Sequence, residues 1–475
     1  MFEHIIKFIL ILLLIFTPIA FGSMDLWAFS LMEVGILLMI ILWVIQLLLR
    51  PALRRVQDSP EPHMVQGELR TPNSKLCLIF LSLFLLLILF QMLPLPSGIL
   101  KTISPKTYEL RHSLSLEPSA LSFELSFVPF LTQIEFFKWL TLIGLFLFLL
   151  HSNLLDRRHR IMGQLIVVIM LVGIFESLYG MFEFFSGHRH ILHLNMEARV
   201  SSVTGTFINR NYFAGYLLMV IPLSVGFLFS SEAFQRRRSM GWRHQLASLD
   251  GKTLLIGFSV IVMILGLLFS ASRMGIVSLL LSFSLISLLF RISQKEQKFS
   301  RITIVILGLA ILWGAWIGLD WVISRFFSIS ESFEDRWKIW VNTFQIFRDF
   351  PLFGSGLGTF TQIFPMYRSF HIRGLVTHAE NDFLQLASEV GLMGIGLLVI
   401  LFLFLFLKGV SGIRSMSHRE AGRYIGIGGM IGVLALMFHS LVERNIQVPA
   451  NAFLFSFLLA MVLRIGLARR RDRSA

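Results

Sequence analysis

The stretch LWAFSLMEVGILLMIILWVIQLLLRPALRR, residues 26–55, is apolar through almost all of positions 26–49 and then turns basic at Arg50, Arg54 and Arg55. A helix needs about 20 such residues to cross the hydrocarbon of a bilayer, where every backbone N–H and C=O must be satisfied within the segment. The run reads as a membrane span, and the arginines behind it as a marker of the cytoplasmic side. Comparable runs recur. About twelve are expected, near residues 5–21, 26–49, 76–93, 134–151, 161–182, 211–230, 253–269, 274–290, 302–322, 383–407, 424–442 and 449–467. The fold class is therefore all-α and polytopic, with about 12 transmembrane helices.

Composition points the same way. Only 15% of residues are charged, where a soluble domain carries roughly 25%. The 47 Phe and 9 Trp suit a lipid-facing surface with interfacial belts. A net charge of +14 raises nucleic acid as a partner. The dispersal of the basic residues between apolar runs excludes it, because a binding stripe would cluster them. The single cysteine, Cys77, excludes an intramolecular disulfide framework and a cysteine-based zinc site. The run from Ile5 to Gly22 is longer than a signal-peptide core of about 7–15 residues, and the start of the chain offers only Lys7 as a basic n-region, so it reads as a retained first helix.

The loops sort by charge. Basic segments hold Arg50, Arg54, Arg55, Arg70 and Lys75; Arg157, Arg158 and Arg160; Arg236, Arg237, Arg238, Arg243 and Lys252; Arg291, Lys295, Lys298 and Arg301; Lys408, Arg414, Arg419 and Arg423; and the tail from Arg464 to Arg473. With twelve spans all of these fall on one side, which makes it the cytoplasm, with both termini inside. Two long loops then face outward, near 94–133 and near 324–382. Long loops between spans tend to carry function. The chain divides into N-terminal helices (1–194), a core with the second loop (195–455) and the end of the last helix with a basic tail (456–475).

Arg199, Arg210, Arg273, Arg336, Arg368 and Arg373 fall on the outer side or at its membrane edge, where the orientation signal does not explain them. Arg210 stands in Gly205-Thr206-Phe207-Ile208-Asn209-Arg210-Asn211-Tyr212-Phe213, and Arg273 in Ser270-Ala271-Ser272-Arg273. Arginine at a helix junction is costly unless it is paired or lines a wet cavity. Guanidinium groups bind phosphate oxygens bidentately, so a converging set would suit a lipid diphosphate.

The second loop opens with Glu334-Asp335-Arg336-Trp337-Lys338-Ile339-Trp340. Trp337, Trp340, Phe344 and Phe347 recur at helical spacing and predict an interfacial helix ending before Pro351. Gly354-Ser355-Gly356-Leu357-Gly358-Thr359 follows without a preceding strand; it reads as a flexible turn or, more sharply, as a backbone nest for an anion. Then come Tyr367-Arg368 and His378-Ala379-Glu380-Asn381-Asp382. Asn381 and Asp382 are suited to capping a helix, and His378 and Glu380 to moving protons. His439 lies within an apolar run and needs a partner, either a neighbouring helix or the pocket.

These motifs resemble the O-antigen ligase and O-antigen polymerase family over roughly residues 195–455. The resemblance rests on 205–211, on 270–273, and on the block from Arg336 to Arg368 with Pro351-Leu352-Phe353-Gly354-Ser355-Gly356. It also rests on 378–382 followed by Gly391 and Gly394. It implies a metal-independent, inverting glycosyltransferase that uses no cofactor. The donor would be a glycan on undecaprenyl diphosphate, and the acceptor the lipid A core or another lipid-linked glycan. Family ligases often carry His-Asn, nine residues, then Gly-x-x-Gly. Here Asn381 and the glycines keep that spacing, with Glu380 in the histidine's place and His378 two residues earlier. The expected base is Glu380 or His378. Arg210, Arg273, Arg336 and Arg368 are expected to hold the diphosphate, and Asn209, Asn211, Tyr367, Asn381 and His439 to line the pocket. A transporter of lipid-linked glycans is the competing class, but no related halves stand out and the polar residues gather at one face.

Overall fold

A computed structural model describes residues 2–56, 74–114, 122–155, 161–187, 190–195, 202–231, 250–290, 330–371, 374–417 and 420–474. The described helices, in chain order, are α1 (Phe2–Ile19), α2 (Leu26–Val56), α3 (Ser74–Gln91), α4 (Ser97–Ile103), α5 (Pro105–Leu114), α6 (Pro129–His151), α7 (Ile161–Phe185), α8 (Arg210–Ser230), α9 (Gly251–Phe269) and α10 (Arg273–Phe290). They continue with α11 (Ser330–Asp349), α12 (Phe360–Tyr367), α13 (Asp382–Arg414), α14 (Ala421–His439) and α15 (Pro449–Ser474). Two small antiparallel pairs join β1 (Pro94–Pro96) to β2 (Ser122–Glu124) and β3 (His190–Ile191) to β4 (Leu194–Asn195).

Among the described residues ten helices are long and apolar enough to cross a membrane: α1, α2, α6–α10 and α13–α15. The protein is a multi-pass, all-α membrane protein. Of the twelve expected spans, the one near 76–93 is the shorter apolar helix α3. The one near 302–322 lies outside the described residues, as do Arg199 and Arg373.

Lipid and core faces separate by burial. Leu31, Val34, Leu38 and Ile41 of α2 are exposed, as a helix on the bundle rim requires. α8 is buried along nearly its whole length and lies against α14, α9, α7 and α15. Small residues set that closeness: a Cβ on Gly428 would stand 2.3 Å from the Pro222 carbonyl oxygen. Backbones approach this closely in membranes only where side chains are absent.

The loop after α11 is tied into α13. At Gly391 the backbone leaves the helix (φ 64°, ψ −172°), so two rungs of the helical ladder are missing. The amides of Leu392 and Met393 donate instead to Pro351 O (2.7 Å) and Leu352 O (3.2 Å). The carbonyls of Ser388 and Glu389 accept from Ser355 N and Gly356 N, both at 3.0 Å. Leu357 N donates to Gln91 Oε1 (3.1 Å), and Phe360 N to Glu389 Oε1 (3.3 Å). The glycine-rich segment is thus neither a flexible turn nor an anion nest. The amides of Ser355 and Gly356 are committed to a distant turn of α13, and that of Leu357 to Gln91 of α3.

Candidate functional site

The starts of α8, α10, α11, α13 and α15 and the ends of α9 and α14 meet at one end of the bundle. Two asparagines fix helix starts. Asn209 Oδ1 accepts from Asn211 N (2.8 Å) to cap α8, and Asn381 Oδ1 accepts from Leu384 N (2.9 Å) to cap α13. Asp382 then binds the turn after α14: its Oδ2 accepts from Asn445 N and Ile446 N, both at 2.7 Å, and its own amide donates to Ser440 O (2.9 Å). His439 is fully buried; its Nδ1 lies 3.1 Å from Asn445 Nδ2 and its Nε2 3.4 Å from Ser272 Oγ. It therefore ties the Ser-Ala-Ser-Arg junction to the last turn. With Asn445 donating, the ring proton sits on Nε2 and points at the serine. Arg210 and Arg273, each half-buried, begin α8 and α10.

Arg336 Nη1 lies 2.5 Å from Glu443 Oε1 and donates to Val442 O (3.3 Å). Glu443 is buried and also faces the Asn211 side chain. Burial pushes its carboxyl up, and Arg336 pulls it down. The folded value lies above the unfolded one. The folded chain therefore keeps a proton that the unfolded chain gives up, and stability falls as pH rises from about 4.3 through the folded value. Arg336→Ala removes the cation, raises the folded value further and deepens that fall. The partly exposed arginine makes the loss about 3 kcal/mol or less. The unfolding temperature of Arg336→Ala should drop below wild type by a margin that widens from about pH 6 to about pH 9, and Glu443→Gln should close it. A margin independent of pH would refute the pairing.

His378, Glu380 and Arg444 form the other half of the site. Arg444 Nη1 donates to His378 Nε2, and its guanidinium reaches the Tyr212 hydroxyl. Burial, then Arg444, then Lys138 push the His378 ring down to about 3, so it is neutral at ordinary pH and its Nε2 acts as an acceptor. Glu380 is half-buried on left-handed backbone (φ 51°), close enough to Tyr212 and Glu443 to act on both electrostatically. No hydrogen bond or ion pair holds its carboxylate among the described residues. Non-glycine residues with such a φ cost about 1–3 kcal/mol and cluster at functional sites.

The remaining expected residues sit farther out. Tyr367 donates to Asp349 Oδ2 (2.7 Å) at the far end of α11, and its carbonyl accepts from Asn342 Nδ2 (2.9 Å). Arg368 follows it, exposed. Neither contacts Glu443, Arg444 or His378 among the described residues. Trp340 Nε1 donates to Ala379 O (2.9 Å), while Trp337 and Phe344 point outward, so the aromatic face of α11 is split between anchoring the 379 loop and exposure. Among the described residues no three His, Cys, Asp or Glu stand close enough to hold a metal ion.

Sequence reasoning missed Arg444, Glu443 and Tyr212. One signal was available: Arg444 also lies in a turn that the charge pattern assigns to the outer side, and so passes the test that singled out the other arginines.

No curated protein matches the chain. Residues 258–401 match a family model described as O-antigen ligase, a segment that runs from α9 into α13 and carries Arg273, Arg336, His378 and Glu380. The resemblance carried by the motifs is thereby supported: over residues 258–401 this chain is similar to the O-antigen ligase family.

Proposed function

We propose that the protein transfers a glycan from undecaprenyl diphosphate to a hydroxyl of the lipid A core or of another glycan. The reaction runs at the periplasmic face, without a metal, with both termini in the cytoplasm and residues 195–455 as the ligase-like core. The family match supports ligase-type glycosyl transfer in general, between a lipid-linked glycan and an acceptor. The observation that carries the finer reading is the contrast between the two candidate bases. The Nε2 lone pair of His378 is taken by Arg444, whereas the Glu380 carboxylate has no hydrogen bond or ion pair among the described residues and stands on strained backbone.

In this mechanism Glu380 takes the proton as the acceptor oxygen attacks the anomeric carbon. The bond from that carbon to the phosphate oxygen breaks, and undecaprenyl diphosphate leaves with the electron pair. The sugar inverts. Arg210, Arg273 and Arg336 meet the developing charge, where fixed cations act strongly in a water-poor site. Glu443 holds only Nη1 of Arg336, so the pair orients the guanidinium and leaves its other edge for the diphosphate. Arg368, exposed beside Asn342, is suited to the outer part of the glycan.

The test uses the purified protein in nanodiscs with undecaprenyl-diphosphate-linked glycan, with and without lipid A core, in EDTA. Glycan on the lipid A core is expected for a ligase, and lengthened lipid-linked chains for a polymerase. Glycan movement across a proteoliposome membrane without transfer to any acceptor would overturn the proposal in favour of a transporter.

A further inference from the structure

Adjacent arginines at this site are treated differently by their surroundings. Arg336 has a buried carboxylate against it. Arg444, half-buried, has none within ion-pair distance among the described residues. Its contacts are a histidine held neutral and a tyrosine hydroxyl, which orient the guanidinium without cancelling its charge. Asp382, whose carboxylate feels the charge of Arg444, spends Oδ2 on the amides of Asn445 and Ile446. It thereby fixes the turn that carries Arg444 rather than the guanidinium itself. The Arg444 Nε is buried without a hydrogen-bond partner. Such a donor is destabilising until something accepts from it. A partly buried cation without an ion pair at a membrane edge is costly in the same sense.

A single kind of ligand removes both costs: an anion with several acceptor oxygens, delivered at the depth of the helix ends. We propose that Arg444 is a further ligand of the donor's diphosphate, aimed by His378 Nε2 and the Tyr212 hydroxyl. His378 is then a positioning residue. This rests on the reading of the protein as a prenyl-diphosphate-dependent transferase. The side chain comes from a turn outside the segment matched to the family, the same turn whose Val442 carbonyl and Glu443 carboxylate Arg336 contacts.

The experiment measures binding of farnesyl diphosphate to the full-length protein in nanodiscs of zwitterionic lipid. Inorganic pyrophosphate, farnesol and nanodiscs containing phosphatidylglycerol are run as separate arms. Wild type is expected to bind farnesyl diphosphate, and Arg444→Ala to weaken binding at least tenfold with little change in unfolding temperature. Arg444→Lys should recover part of the loss, and Arg348→Ala, an exposed cation on α11, should leave affinity unchanged. His378→Lys, which sets a cation against the guanidinium, should weaken binding, while His378→Gln, which keeps a neutral acceptor, should largely retain it. If Arg444→Ala unfolds, Arg444→Gln keeps hydrogen-bond donors without charge and must show the same loss. Arg444→Ala or Arg444→Gln binding within twofold of wild type overturns the proposal. So does full competition by phosphatidylglycerol, which would make the site one for bulk lipid phosphate. No binding of any prenyl diphosphate by wild type would sink the donor reading itself, a result distinct from both.

Discussion

Glu380→Gln stops glycan transfer: kcat is expected to fall by about 10²–10⁴-fold, the contribution of a well-placed general base. The substitution keeps size and removes only the ability to take a proton. The carboxylate has no partner in the fold among the described residues, and glutamine is no worse than glutamate on the same left-handed backbone, so unfolding temperature and donor binding should hold. His378→Gln provides the comparison. His378 is neutral and its Nε2 is occupied, and glutamine keeps a neutral acceptor for Arg444, so both kcat and KM for the donor should stay near wild type. Steady-state kinetics with defined lipid-linked donor separate the two. A Glu380→Gln enzyme with more than about a third of wild-type kcat, alongside an inactive His378→Gln enzyme, would move the base to the histidine.

The second large effect is on assembly. Gly391→Ala should yield little folded protein. The φ of 64° with ψ of −172° belongs to a region that is essentially glycine's alone, at a cost of about 1–3 kcal/mol for any other residue. A Cβ there would also lie 2.3 Å from the carbonyl carbon and oxygen of Leu352, backbone atoms that cannot swing aside. Forced overpacking adds about 1–3 kcal/mol, against a total stability of about 5–15 kcal/mol. Gly354→Ala meets the mirror situation, with its Cβ 2.2 Å from the Glu389 carbonyl. Size-exclusion profiles and thermal unfolding in detergent check both. A monodisperse Gly391→Ala protein with wild-type unfolding temperature would mean that the loop and helix are not locked as described.

The membrane makes part of this protein readable from its residues. Lipid forces whole runs of about 20 apolar residues, so the spans announce themselves one by one. Helix starts are legible for a similar reason: Asn209 and Asn381 cap amides two and three residues away. The rest depends on partners that local pattern cannot name. Arg444 meets a histidine 66 residues distant, and Arg336 meets a carbonyl 106 residues distant. His439 needed a partner on chemical grounds, but only convergence of three helix ends identifies Ser272 and Asn445. The glycine run fits a loop or a nest equally well until the broken ladder of α13 is seen to claim its amides.

That claim also sets what can move. The segment 351–356 is joined to α13 by four backbone bonds, two given and two received. Lifting it would sever all four together and strip the helix at a point where its own ladder offers no replacement. Residues 351–356 are a keystone set into the wall of the bundle, so loop and helix shift only as one body.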